Sequence, residues 1–182
     1  MNMDKFEWRE KFLETISNCC SEGKDAVEYI RTNKITIGIK PARKSVGAFW
    51  TITKHAYLNS VYFSPESSLA NPNAWVLLIH EIRHLQQGWR IALSIYGELD
   101  AWQYQFNTLK KITARNFPEP VEEILTLPLT MDRKTLSRAR KLMTQYAGIG
   151  YGANLLPLYP IHMEMKYWTP KTDINLRDFF QK

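Results

Sequence analysis

The stretch that decides the fold runs from residue 75 to residue 105 and reads WVLLIHEIRHLQQGWRIALSIYGELDAWQYQ. It opens with an apolar run, and two histidines follow four positions apart, His80 and His84. Because an α-helix has 3.6 residues per turn, this spacing places both imidazoles on one face, about 6 Å apart along the axis. Both side chains can therefore reach a single ion.

The segment HEIRH also carries an acid, Glu81, directly after the first histidine. A carboxylate at this position can take a proton from a water on the metal, yet it points too far aside to compete easily as a ligand. The segment therefore predicts a zinc site with His80 and His84 as ligands and Glu81 as general base. The alternative is a buried core helix whose histidines make ordinary hydrogen bonds.

A catalytic zinc site needs a third protein ligand and an open position, and the acids that follow are Glu98 and Asp100. On an unbroken helix Glu98 would lie about 21 Å beyond His84, whereas ligands of one ion lie a few ångströms apart. The chain must therefore reverse. Gly88 can end the first helix in the left-handed conformation, so we predict a turn within 88–93 between two antiparallel helices.

Asp100 is an alternative to Glu98, but the two side chains lie about 200° apart around a helix and cannot both face the ion. Glu98 is preferred. If it is the ligand, Ala101 lies one turn later on the same face, where a small residue lets two helices approach closely. Asp100 would then be an outer acceptor, a partner of Arg83 or a solvent-exposed residue. A three-histidine pattern is excluded, because Arg90 occupies the place of its third histidine.

The composition fits one domain over residues 1–182. Of these residues 45% are hydrophobic and 23% charged, which is ordinary for a globular chain long enough to bury a core. The two cysteines, Cys19 and Cys20, are adjacent, which suits reduced thiols better than a disulfide framework. We find no secretory signal and no apolar run that could span a bilayer, and so expect a cytoplasmic protein outside the membrane.

The net charge of +6 and the pI near 9.3 would permit contact with nucleic acid. That hypothesis depends on the basic residues between Arg133 and Lys141, which have helical spacing. A solvated helix face is the commoner explanation of such a run, so no nucleic-acid partner is expected.

The rest of the chain predicts helices and a small sheet. Residues 4–31 have the spacing of two helices, with Gly23 as the break between them. Three segments rich in β-branched and aromatic residues predict an antiparallel three-stranded sheet. These segments are 34–40, 47–53 and 57–63.

The motif region and the segments after it are predicted to be mainly helical. Helices are expected over 74–87, 94–115 and 131–147, and an irregular C-terminal tail over 153–182 is expected to pack on the body. The chain is therefore predicted to have an α+β fold, with a small sheet packed on helices and the histidine helix followed by a second ligand-bearing helix.

HEIRH followed by ELDA resembles the gluzincin group of zinc metallopeptidases. In particular it resembles the small single-domain minigluzincins and the related ImmA/IrrE-type peptidases, whose pattern is HExxH and then ExxA on a separate helix. The resemblance covers residues 80–101 by motif, and the order of elements extends it loosely back to residue 4. It implies a minimal zincin-like metallopeptidase domain.

The resemblance also implies the residue roles. His80, His84 and Glu98 match the zinc ligands, and Glu81 matches the general base. In zincin-like folds an edge strand pairs with the extended substrate, and by analogy this strand is within 47–53 or 57–63.

The expected activity is hydrolysis of peptide bonds in a peptide or protein substrate, with Zn²⁺ as cofactor. A donor should stabilise the oxyanion, and the candidates are His162, Tyr159 and Tyr96. The alternative is a regulatory or interaction module that binds metal but has no turnover or only latent turnover. The aromatic, proline-rich segment 153–182 favours this alternative, because it could occlude the cleft.

Overall fold

The structure is a computed structural model that describes residues 4–168, with side chains described through residue 165. It is an α+β fold of helices around a small sheet, as predicted. The helices are α1 (Lys5–Cys19), α2 (Ser21–Thr32), α3 (Pro65–Leu69), α4 (Pro72–Gln87), α5 (Trp89–Ala92), α6 (Ile95–Thr113), α7 (Glu119–Thr126), α8 (Arg133–Ala147) and α9 (Ile161–Trp168). None of these helices is both long and apolar enough to cross a membrane.

The three strands form a mixed sheet, so the prediction of an antiparallel sheet was wrong. The strands are β1 (Thr36–Lys40), β2 (Ala48–Thr51) and β3 (His55–Asn59), in the order β1-β3-β2. β2 and β3 form an antiparallel hairpin, while β1 pairs with β3 in parallel. All three strands are shorter than the segments predicted from the sequence.

The buried side chain of Asn59 explains the parallel pairing. Its Nδ2 donates to the carbonyls of Val46 and Arg43, at 2.8 and 3.0 Å, and its Oδ1 accepts from the Ala42 amide at 3.1 Å. These bonds satisfy the backbone of the loop 41–47, which carries the chain past β3. A tight turn after β1 would have produced the antiparallel neighbour that was predicted.

The first two helices meet at Cys20, and the predicted break at Gly23 was wrong. Cys20 has extended backbone angles, and its Sγ accepts from the Gly23 amide at 3.3 Å. Gly23 lies inside α2, where a Cβ would come within 2.1 Å of the Ile16 carbonyl oxygen. The glycine therefore permits the close packing of two helices and does not interrupt one.

The C-terminal segment is more regular than predicted. Between residues 149 and 155 the chain forms two short 3₁₀ turns, and α9 follows at Ile161–Trp168. The prediction of irregular structure was therefore wrong for this part. The remaining part of the predicted tail, 169–182, lies outside the described residues.

Two hydrophobic cores meet at α4 and α6, which pack side by side. The first core joins α1, α2 and the sheet to one face of α4 and includes Phe12, Ile16, Ile30, Leu58, Ile79 and Ile82. The second core joins α6, α7 and α8 and includes Leu99, Trp102, Phe106, Val121, Ile124, Leu136 and Leu142. The helix pair that carries the predicted site is thus supported from both sides.

We expect Gly97→Ala to destabilise the protein by about 2 kcal/mol, because a Cβ at this position would overlap the backbone of α5. That Cβ would come within 2.2 Å of the Ile91 carbonyl oxygen. Alanine gains about 1 kcal/mol over glycine in helix propensity, which is too little to offset this overlap. Chemical denaturation provides the measurement. Asn107→Ala, at an exposed position of the same helix, is the control, and equal stability of the two variants would contradict the prediction.

Candidate metal centre

The histidine helix has well-defined ends. Asn71 caps α4 by accepting from the Asn73 amide at 3.0 Å, and Pro72 occupies the first turn. At the other end Gly88 has φ 75°, a conformation that glycine adopts without strain, and its amide donates to the His84 carbonyl. The helix therefore stops one turn after His84, where the sequence predicts a reversal.

The reversal brings a second helix back along the first. The short helix α5 follows Gly88, and Ser94 then caps α6 by accepting from the Gly97 amide at 3.1 Å. Glu98 consequently lies in the first turn of α6, beside the two histidines. The predicted antiparallel pair with a turn in 88–93 is confirmed.

The three predicted ligands converge. His84 Nε2 lies 3.0 Å from His80 Nε2 and 3.4 Å from Glu98 Oε1, and His80 Nε2 lies 3.8 Å from Glu98 Oε2. One ligand atom from each of the three residues lies within 4.8 Å of the others, as in a group that could hold a metal ion. Ligands at about 2.1 Å from one tetrahedral ion lie about 3.4 Å apart, which is close to the distances from His84 Nε2 to His80 and to Glu98 Oε1.

The hydrogen bonds of Gln87 fix the orientation of His84. Gln87 Nε2 donates to Asp100 Oδ2 at 2.7 Å and to the Gly97 carbonyl at 2.9 Å, which uses both amide hydrogens. Its Oε1 therefore faces His84 Nδ1, at 3.1 Å, and must accept from it. With the Nδ1 hydrogen committed to Gln87, the Nε2 lone pair of His84 is directed at the cluster.

Asp100 does not join the ligands. Both of its oxygens accept from the guanidinium of Arg83, at 2.8 Å from Nε and 3.1 Å from Nη2. This is the geometry of a two-point ion pair, which holds α4 against α6 one helical face away from the site. Of the roles considered for Asp100, the structure shows the partner of Arg83.

Burial and charge shift the pKa values of the acids in the cluster in opposite directions. Burial raises the pKa of Glu81 to about 8; the charge of His84 opposes the shift and that of Glu98 adds to it. Burial also tends to raise the pKa of Glu98. The charge and hydrogen bond of His84 outweigh this, with help from His80 and Tyr151, and lower the pKa to about 2.

The two histidines also differ. Burial and the positive charge of His84 lower the pKa of His80 to about 3. Burial would lower the pKa of His84 as well, but the charge and hydrogen bond of Glu98, together with Glu81 and Gln87, outweigh it and raise the pKa to about 9. The cluster thus consists of one negatively charged carboxylate and two imidazole nitrogens. A positive charge among them would stabilise this arrangement, and a bound cation can supply it.

His80 Nδ1 is buried without a hydrogen bond of normal geometry. The backbone of Ala101 and the side chain of Gln105 are near enough to raise the pKa of His80 by hydrogen bonding. A histidine ligand normally donates its second ring hydrogen to such a group. These two positions on α6 are therefore the candidates for orienting His80.

Tyr151 contacts the site and was missed in the sequence. Its hydroxyl donates to Glu98 Oε2 at 2.6 Å, and Trp102 Nε1 donates to the same hydroxyl at 2.8 Å. Because Tyr151 is 53 positions from Glu98, no local spacing indicates the contact. Gly148 and Gly152, on either side of it, have positive φ, but no pattern among the glycines points to Glu98.

A cavity of about 270 Å³ lies beside the cluster. His80 and Glu81 border it together with the loop before β2, and most of the remaining wall is apolar or aromatic. This part of the wall includes Leu77, Trp102, Phe106, Leu109, Phe117 and Tyr151. The cavity is large enough for a bulky apolar side chain.

The three predicted oxyanion donors do not border this cavity. His162 borders a separate surface hollow beside Gly88 and Trp89. Tyr96 and Tyr159 pack against the second core. The structure therefore does not bring any of the three to the predicted site.

No protein-family model, curated protein or solved structure matched this chain. The resemblance to gluzincins therefore depends on the motif residues and their geometry. What the structure shows is an α+β fold in which His80, His84 and Glu98 form a possible metal site.

Proposed function

We propose that the protein is a zinc-dependent metallopeptidase. A single observation carries the proposal: two imidazoles and a carboxylate converge, and the buried acid Glu81 borders the same cavity as His80. A buried histidine pair facing a carboxylate is costly unless a cation or proton lies between them. The set of one carboxylate and two imidazoles suits zinc, with one coordination position left open.

In this proposal His80, His84 and Glu98 would hold Zn²⁺. The ion supplies Lewis-acid chemistry, lowering the pKa of a water and polarising the carbonyl of a peptide bond. Glu81 takes the proton of the attacking water and passes it to the leaving nitrogen. The Gln87 hydrogen bond keeps the Nε2 lone pair of His84 directed at the ion throughout.

The sheet offers a surface for the substrate. In the order β1-β3-β2, β3 is central, and the outer edge of β2 has no strand partner among residues 4–168. β2 packs beside α4, and the Trp50 ring lies 6.0 Å from the ring of His84. An extended peptide could add to β2 as a further strand and direct a side chain into the apolar cavity. Of the two segments considered for this role, 47–53 is therefore preferred.

We expect hydrolysis to depend on the metal. Wild-type protein loaded with Zn²⁺ should cleave an unfolded protein substrate, lose this activity on treatment with a chelator, and regain it when Zn²⁺ is restored. The measurement is the appearance of new peptide termini, alongside metal content per chain. Cleavage that persists in metal-free protein would contradict the proposal.

A metal-binding module without turnover is the second candidate. The near-complete enclosure of the ligands favours it, since His84 is 1% and His80 4% exposed. It predicts stoichiometric zinc and higher thermal stability with zinc, but no new peptide termini. The same experiment therefore separates the two candidates.

A further inference from the structure

We propose that Tyr151, oriented by Trp102, is a positioning residue that fixes the orientation of the Glu98 carboxylate at the proposed metal site. The proposal rests on the proposed metal site and adds a second layer of residues to it. It concerns how the carboxylate is held and does not place Tyr151 in contact with the reacting atoms.

The donors and acceptors in this chain of hydrogen bonds can be assigned without ambiguity. An indole N–H can only donate, so the contact of 2.8 Å makes the Tyr151 oxygen an acceptor from Trp102. The single hydroxyl hydrogen is then free for Glu98 Oε2, which is 2.6 Å away and can only accept as a carboxylate. Trp102 therefore sets the direction in which Tyr151 donates.

This assignment makes the two oxygens of Glu98 unequal. Oε2 carries the hydrogen bond from Tyr151, while Oε1 faces His84 Nε2 at 3.4 Å. A free glutamate can rotate its carboxylate or offer both oxygens to an ion. The hydrogen bond opposes that rotation and holds Oε1 toward His84 Nε2, while Oε2 lies 3.8 Å from His80 Nε2.

The helix geometry makes the arrangement rigid. Glu98 and Trp102 are four residues apart on α6, so their side chains share a face and Tyr151 fits between them. The Tyr151 and Trp102 rings meet edge to face with centroids 5.4 Å apart, and Tyr151 is half-buried. A hydroxyl that both accepts and donates, on a packed ring, holds its acceptor more firmly than a water molecule would.

The same assignment excludes Tyr151 as an oxyanion donor. Its one hydroxyl hydrogen is donated to Glu98 Oε2. If Tyr151 donated it elsewhere, that carboxylate oxygen would lose its hydrogen bond. Tyr151 borders the same cavity as Glu81. Its position on the cavity wall would suggest a role as oxyanion donor, but its hydrogen bonds do not allow that role.

The test is Tyr151→Phe, which removes the hydroxyl and keeps the ring packing. Zinc affinity, measured by competition with a chromophoric chelator, should fall about 10- to 100-fold, as is usual when an outer partner of a ligand is lost. Tyr146→Phe is the matched control. Tyr146 also meets the edge of Trp102, with centroids 5.8 Å apart, and borders the same cavity, but its hydroxyl makes no hydrogen bond to residues 4–168.

A spectroscopic readout separates positioning from general packing. With Co²⁺ in place of Zn²⁺, the visible absorption reports the number and geometry of ligands. Tyr151→Phe should change the intensity of these bands, because the Glu98 carboxylate is no longer held in one orientation. Tyr146→Phe should leave the spectrum of the wild type unchanged, and both metal-free variants should melt within a few degrees of the wild type.

Two results would overturn the proposal. One is a zinc affinity and a Co²⁺ spectrum of Tyr151→Phe equal to those of the wild type. The other is loss of hydrolysis with unchanged zinc affinity, which would make Tyr151 a group that acts on substrate. If Tyr151→Phe weakens zinc binding but the wild type cleaves nothing, the positioning role stands and the peptidase proposal fails.

Discussion

Replacing Glu81 by glutamine should lower kcat/KM for peptide hydrolysis about 10³-fold while the protein still binds one zinc ion. The amide has the shape of the acid but cannot take a proton from water, so the chemical step loses its general base. His80, His84 and Glu98 are unchanged, so zinc content should equal that of the wild type. Cleavage rate and metal content must be measured on the same preparations.

The fold should tolerate this substitution. Glu81 is buried and burial raises its pKa to about 8, so in the metal-free protein the neutral acid predominates at pH 7 and a neutral amide can replace it. Glu14→Gln, at an exposed position of α1, controls for the general effect of the exchange. A Glu81→Gln variant that cleaves at the wild-type rate would remove Glu81 from the mechanism.

Replacing His84 by alanine should abolish stoichiometric zinc binding and with it the stabilisation that zinc confers. A ligand present at 1,000 times its Kd stabilises the folded state by about 4 kcal/mol, so the wild type should show a clear rise in Tm with zinc. His84→Ala should show almost no rise, because the remaining ligands no longer enclose the ion. The measurements are metal content per chain and Tm with zinc and with chelator.

His55→Ala is the matched control for this experiment. His55 lies in β3, where its ring packs against Tyr57 with centroids 5.8 Å apart, and it does not belong to the cluster. The control should bind zinc like the wild type. If His84→Ala keeps one tightly bound zinc ion, the metal lies elsewhere and the proposed centre is wrong.

The helix pair and the cluster were predictable because local chemistry determines them. The spacing of His80 and His84 places them on one face, and Gly88 supplies the only local signal that ends the helix close after them. Once the chain reverses there, helix periodicity brings Glu98 back to the histidines and directs Asp100 away from them. Each of these steps depends on residues close together in the chain.

The parallel strand pairing and the contact of Tyr151 depend on residues far apart in the chain. Consecutive strands are usually antiparallel neighbours, and nothing local showed that Asn59 would hold the loop 41–47 in a crossover. Tyr151 reaches Glu98 only because α8 packs on α6 and the chain then turns at Gly148. Tertiary packing decides both features, and a single sequence does not encode them in any short pattern.

The division of the ligands between two cores has a mechanical consequence. The histidines stand on a helix anchored through Ile79 and Ile82 in the first core, and Glu98 on a helix anchored through Leu99 in the second. An ion held by all three ligands would link these two helices directly. Local unfolding of either core would then separate α4 from α6, and the ion would be released before the rest of the chain unfolds.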